Sequence, residues 1–199
     1  AARPGIHEYE LQAEIERVFR MREAVPAYES IVGAGNNACV LHYRANSAKV
    51  RAGELVLIDA GAEYRGYASD ISRTFPVDGR FSAPQRALHD LVGRAQAAAV
   101  AQAQPGNPWS AIHDAAVETL TEGLLSLGLL KGKAKKHIAE GTYQRFYRHK
   151  TGHWLGLDVH DVGDYRLDDE PRLLEPGMVF TIEPGLYVSA DDKRVDAKW

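Results

Sequence analysis

Leu55-Val-Leu-Ile-Asp-Ala-Gly-Ala-Glu-Tyr-Arg-Gly-Tyr-Ala-Ser-Asp-Ile-Ser-Arg-Thr-Phe75 decides how this 199-residue chain folds. Leu55 to Asp59 reads as a strand of four aliphatic residues ending in an acid, and a second strand runs from about Tyr67 to Val77. Glu63-Tyr-Arg-Gly66 between them suits a tight hairpin connection. In a hairpin with an even-numbered loop, paired positions have a constant odd sum. Asp59 and Asp70 also sum to an odd number, so they point to the same sheet face, directly opposite or one diagonal apart. Two carboxylates that close repel each other, and a carboxylate withdrawn from water is costly unless paired or bound to a cation. A divalent cation between them resolves the conflict. An Asp–Arg pair through Arg65 or Arg73 is the alternative.

Outward from this hairpin, Gly5 to Arg22 has helical spacing, with Leu11, Ile15, Val18 and Phe19 on one stripe and Glu8 and Glu10 in the first turn. Ile31-Val32 and then Ala38 to Tyr43 read as extended, broken by Gly33-Ala-Gly35. Pro84 to Gln104 is an alanine-rich helix ended by Pro105-Gly-Asn-Pro108, and Ser110 is the expected N-cap of the next helix, which Gly128 closes. Met178 to Glu183 is a further apolar strand ended by Pro184-Gly185. Strands and helices alternate through hairpin-type links rather than repeated βαβ units, which predicts an α+β fold in one domain.

A third acid, Glu183, ends its own apolar run, Met-Val-Phe-Thr-Ile-Glu. Three histidines, His149, His153 and His160, lie in Tyr147-Arg-His-Lys-Thr-Gly-His-Trp-Leu-Gly-Leu-Asp-Val-His160. Thr151 and Gly152 argue against a metal-binding helix there, and no Glu follows His149, so this is not His-Glu-x-x-His. A histidine near glycines is by itself a hydrogen-bonded loop residue; three of them beside three strand carboxylates point to a metal site. Carboxylate oxygens with imidazole suit Mn²⁺ first, with Co²⁺, Zn²⁺ or Fe²⁺ as alternatives. Bridging carboxylates favour two divalent ions sharing a water, which is the arrangement for metal-assisted hydrolysis.

Bulk properties narrow the classes. The net charge of −3, with 26% charged residues, favours neither nucleic acid nor an anionic membrane as partner. The basic run Lys131-Gly-Lys-Ala-Lys-Lys136 reads as a solvated loop. One cysteine, Cys39, allows no internal disulfide and fits a reducing compartment, so the expected location is the cytoplasm. No apolar run approaches the roughly 20 residues that span a bilayer, and no signal peptide is seen. A Ser-His-Asp acyl-transfer set has no Gly-x-Ser-x-Gly elbow to support it. The chain opens Ala1-Ala-Arg-Pro-Gly5 and closes Arg194-Val-Asp-Ala-Lys-Trp199, and both ends read as cut.

Three stretches together resemble the pita-bread metallopeptidases, in their aminopeptidase P and prolidase branch: Leu57 to Phe75, Thr151-Gly-His-Trp-Leu-Gly-Leu-Asp-Val-His-Asp-Val-Gly163, and Glu175-Pro-Gly-Met-Val-Phe-Thr-Ile-Glu-Pro-Gly-Leu-Tyr187. The resemblance implies a curved antiparallel sheet with helices on its outer face. It implies a catalytic domain over residues 1–199 that lacks an N-terminal domain and its last strands. It implies Asp59, Asp70, His153 and Glu183 as metal ligands and two bound metal ions. His42 and His160 would hydrogen-bond substrate or the tetrahedral intermediate, and His149 would line the proline-side pocket. The substrate would be a proline-containing peptide cut at its N-terminal Xaa-Pro bond, aminopeptidase P fitting better than prolidase. A fifth ligand, a glutamate in a later strand, has no counterpart before Trp199, so a separate C-terminal fragment is an expected partner, and a homo-oligomer is compatible. The competing class is a non-catalytic pita-bread binding module, disfavoured by the presence of four ligands.

Overall fold

The computed structural model describes all residues, 1–199. They divide into two compact units, one formed by residues 1–85, 155–161 and 188–199, the other by residues 86–154 and 162–187.

The first unit opens with helix α1 (Glu8–Arg20). Five short strands follow: β1 (Val25–Pro26), β2 (Ile31–Ala34), β3 (Leu55–Ala60), β4 (Ala62–Glu63) and β5 (Ile71–Pro76). β2, β3 and β5 form an antiparallel sheet in that order, and β1 pairs with β4. The aliphatic side chains of β2 and β3 form this unit's core: Val32 and Val56 are fully buried, packed with Ile6, Leu11, Val50 and Val77. Each such side chain contributes about 1.5–3 kcal/mol on leaving water, so a charge at Val56 would break the sheet where it carries Asp59.

The second unit contains most of α2 (Ala83–Gln102), α3 (Ser110–Ser126), α4 (Ala134–Ala139) and the hairpin β6 (Arg166–Leu167) and β7 (Glu170–Pro171). Leu91, Ala95 and Ala99 on α2, and Ile112, Ala116, Leu120 and Leu124 on α3, recur at helical spacing and are all buried. At Gly123 a side chain would run into Leu91, so the glycine lets the two helices close. No helix is long and apolar enough to cross a membrane.

Four local expectations are corrected. Ala38 to Tyr43 is not a strand: a 3-10 helix covers Gly35–Cys39 and a turn follows, because Gly35 and His42 both take positive φ (56° and 55°) and interrupt extension. β5 begins at Ile71 rather than Tyr67. The Tyr64–Tyr67 turn is the expected tight one, with positive φ at both central residues, Arg65 (53°) and Gly66 (86°), but Ala68 then gives its N–H to Gly156 O (2.8 Å) and leaves the ladder. Met178 to Glu183 forms no full strand either: it makes one isolated antiparallel bridge, Phe180 with Trp154, and Thr181 and Glu183 donate to His153 O (2.9 Å) and Thr151 O (2.7 Å), in a glycine-containing loop. Trp109, not Ser110, is the N-cap of α3, because the helical bonds start from Pro108 O and Trp109 O.

Candidate metal centre

In the first unit, sheet register sets the carboxylate pair. Asp59 pairs with Ser72 and Ala60 with Ile71. One position further, Asp70 stands across from Gly61, on the same face as Asp59 and one diagonal away, as the parity of the hairpin predicts. Both acids are half-buried. Their Oδ1 atoms converge on one hydroxyl: Tyr28 Oη lies 2.7 Å from Asp59 and 3.0 Å from Asp70. A phenol has a single proton, so it satisfies one of these oxygens at a time while the other meets its lone pair. Burial, and then the two carboxylates, push the Tyr28 hydroxyl well above its ordinary pKa, so it stays protonated. Gly61 makes the arrangement sterically possible, since a Cβ there would strike Ser69 O and the Tyr28 ring. Ala27 N donates to Gly61 O at 2.9 Å and holds the Tyr28 loop in place.

His42 and His160 belong to the same unit and are exposed. His42 follows the 3-10 helix with φ 55°. His160 lies in the 155–161 segment, which Gly156 O fastens to Ala68, two residues before Asp70.

In the second unit, a loop does what the sheet does in the first. His153 Nδ1 is 2.8 Å from Trp154 O. A carbonyl only accepts, so Nδ1 carries the proton and the lone pair of a neutral ring is on Nε2. Nε2 faces Glu183 Oε1 at 3.2 Å. Two acceptors meet there unless the ring is an imidazolium or a cation joins them. Thr181 aligns the pair: its Oγ1 accepts from His153 N (3.0 Å) and donates to Glu183 Oε1 (2.9 Å). A backbone contact of this kind at Nδ1 is how a metal-binding imidazole is oriented. Gly152 lets the two segments meet, since a Cβ there would strike Thr181 O. Trp154 anchors the loop in an aromatic cluster with Trp109, Tyr165 and Phe180, their ring centroids 4.5, 5.8 and 6.1 Å away.

His149 is oriented by the same logic. Nδ1 donates to Lys150 O (2.8 Å) and Nε2 lies 2.9 Å from the Tyr187 hydroxyl, so the ring is pinned at both ends. Behind it, Thr151 Oγ1 bonds His113 Nδ1 (2.8 Å) and Tyr147 Oη (2.6 Å). Burial, reinforced by the Lys150 charge and only partly offset by Asp114, lowers the His113 pKa.

In each unit the donor chemistry fits a hard divalent ion: two carboxylates in the first, a carboxylate and a pre-oriented imidazole in the second, and a thiolate in neither set. Reading the sequence alone missed Tyr28, Thr181 and His113. Thr181 sat inside a quoted motif, two residues from Glu183, whereas nothing in the sequence links Tyr28 to acids 31 and 42 positions away.

The sequence profile of metallopeptidase family M24 matches residues 1–198. A Xaa-Pro aminopeptidase of Haemophilus influenzae is 50% identical over 190 residues, covering 95% of this chain and 44% of its own length. Among solved structures, Pseudomonas aeruginosa aminopeptidase PepP superposes with a TM-score of 0.99 at 53% identity, over 100% of this chain and 45% of that one. A zinc-substituted Escherichia coli aminopeptidase P in complex with product gives a TM-score of 0.95 at 46% identity, over 99% and 44%. The chain thus spans less than half the length of these relatives. The two units carry the α+β pita-bread fold of those neighbours, and the chain belongs to metallopeptidase family M24.

Proposed function

We propose that residues 1–199 are part of a catalytic domain that hydrolyses the N-terminal Xaa-Pro bond of peptides. The observation that carries this reading is the facing of acceptors within each unit: Asp59 and Asp70 on one Tyr28 proton, His153 Nε2 on Glu183. Similarity to Xaa-Pro aminopeptidases supports the substrate class. Asp59, Asp70, His153 and Glu183 would hold two divalent ions, Mn²⁺ first. Bound there, divalent ions would supply Lewis acidity, lowering the pKa of water and polarising a carbonyl. Tyr28, neutral through the working pH range, orients the carboxylates by donating to one of them. Thr181 fixes Glu183 against His153. His42 and His160 donate hydrogen bonds to the substrate carbonyl and to the oxyanion that develops from it. His149, its ring held by the Tyr187 hydroxyl, forms part of the wall on the proline side. A chain with one cysteine fits work in the cytoplasm.

Hydrolysis of an Xaa-Pro-Xaa tripeptide by the full-length protein tests the reading. Release of the first residue, abolished by a chelator and restored by Mn²⁺, is the expected result. Intact peptide after prolonged incubation with any of Mn²⁺, Co²⁺, Zn²⁺ or Fe²⁺ contradicts it and favours a binding module.

A further inference from the structure

Glu8 is fully buried, yet it is a carboxylate at the start of α1, outside the metal centre. Four donors reach it, two to each oxygen. Oε1 accepts from Ala34 N (2.8 Å) and Asn37 Nδ2 (3.0 Å). Oε2 accepts from Tyr43 Oη (2.9 Å) and Ala48 N (2.8 Å). An ionised carboxylate offers about four lone-pair sites and no donor, so the match is complete. The four donors lie at the two ends of a single excursion of the chain. Ala34 and Asn37 stand where it leaves the sheet, and Tyr43 and Ala48 where it returns. His42 is on the exposed outer part between them, at φ 55°, a backbone state that a non-glycine residue keeps only when its neighbours hold it. Tyr43, the residue next to His42, is held twice, by Glu8 and by Asn37 Nδ2 (3.0 Å).

We infer that Glu8 is a positioning residue for the reaction, a buried carboxylate clamp that closes the 34–48 loop and fixes where His42 points; the inference rests on the role proposed above for His42. An amide in place of the acid cannot serve. Whichever way it is turned, its NH₂ faces a backbone N–H, that of Ala34 or of Ala48, and neither can become an acceptor. Asn37 could flip its amide and Tyr43 could rotate its hydroxyl, but the two main-chain donors have no such freedom. Glu8→Gln therefore releases one end of the loop while conserving volume.

The test is a double-mutant cycle on the metal-loaded full-length protein, with E8Q, H42A and the double variant, read by tripeptide hydrolysis and by hydrogen exchange of peptides covering residues 34–48. The expected result is loss of exchange protection in that segment in E8Q, a kcat loss on the order of 10- to 100-fold with metal content unchanged, and no further loss when E8Q is added to H42A. Tyr43→Phe, which removes one donor of four and keeps the backbone bonds, gives a smaller loss that also vanishes on the H42A background, and it serves where E8Q does not fold. Losses that multiply in the double variant, or unchanged exchange in residues 34–48, overturn the inference. An unsubstituted protein that leaves the tripeptide intact overturns the functional reading instead, and with it any catalytic role for the clamp.

Discussion

The two units solve one electrostatic problem with different materials. In the first, Asp59 and Asp70 are brought together by strand register, and their common donor, Tyr28, arrives from a distant loop. In the second, His153 and Glu183 meet through loop backbone, with Thr181 as the local brace. Each needs a glycine at the point of closest approach, Gly61 in one and Gly152 in the other. The difference is in what remains without a cation. The first pair is two like charges sharing a proton donor. The second can protonate into an imidazolium–carboxylate pair.

Neutralising an acid separates the two most sharply. Asp70→Asn should lower tripeptide hydrolysis by more than the roughly 100-fold that outer-shell losses cost, while the metal-free protein melts no lower, since a repulsion has been removed. Glu183→Gln should abolish activity to the same extent but lower metal-free stability, by up to about 1 kcal/mol for a partly exposed pair. Equal shifts in metal-free melting would erase the distinction.

Removing the braces comes next. Tyr28→Phe and Thr181→Val should each cost about 10- to 100-fold in metal affinity or activity. Tyr28→Phe should be the worse of the two in metal-free stability, because it leaves two carboxylates without their shared donor; thermal melts in the presence of chelator check the order.

A smaller effect is confined to the second unit. His113 has a depressed pKa, so above its ordinary value of about 6.5 it is neutral in folded and unfolded chains alike. As pH falls through 6.5 the unfolded chain takes up the proton first, and stability declines until the folded pKa is passed. His113→Gln should flatten the melting profile below pH 6.5 and leave it unchanged above pH 7.5. The smallest effect is Arg65→Asn in the first unit's turn. Easing φ 53° at a residue that pays for left-handed backbone returns up to about 1 kcal/mol, against about 0.5 kcal/mol for the exposed contact of Arg65 over the Tyr64 ring. A slight rise in melting temperature is expected.

The same contrast explains what could be read from the sequence. Strand geometry has period two, so the parity of 59 and 70 was enough to put both acids on one face, and the sheet bears that out. Helix α2 was legible as an alanine-rich run ended by Pro105-Gly-Asn-Pro108, and α3 from apolar residues at helical spacing, Ile112, Ala116, Leu120 and Leu124. Loop geometry has no period. The approach of His153 to Glu183 depends on Gly152, Thr181 and two backbone hydrogen bonds between segments about 30 residues apart, and the resemblance of the motifs is what singled out that pair. Ala38 to Tyr43 was misjudged for a related reason: its conformation answers to Glu8, a residue 30 positions earlier whose acid looked like ordinary first-turn helix chemistry. Tyr28 left no local trace at all.

The central claim is that the acids and the imidazole are tolerated because divalent ions bind them. Element analysis of the dialysed full-length protein, beside its Asp70→Asn and Glu183→Gln variants, tests it most directly. Two ions per chain in the parent, with a clear loss in each variant, is the predicted result. A parent that retains no divalent ion, or variants that hold as many as the parent, would contradict it.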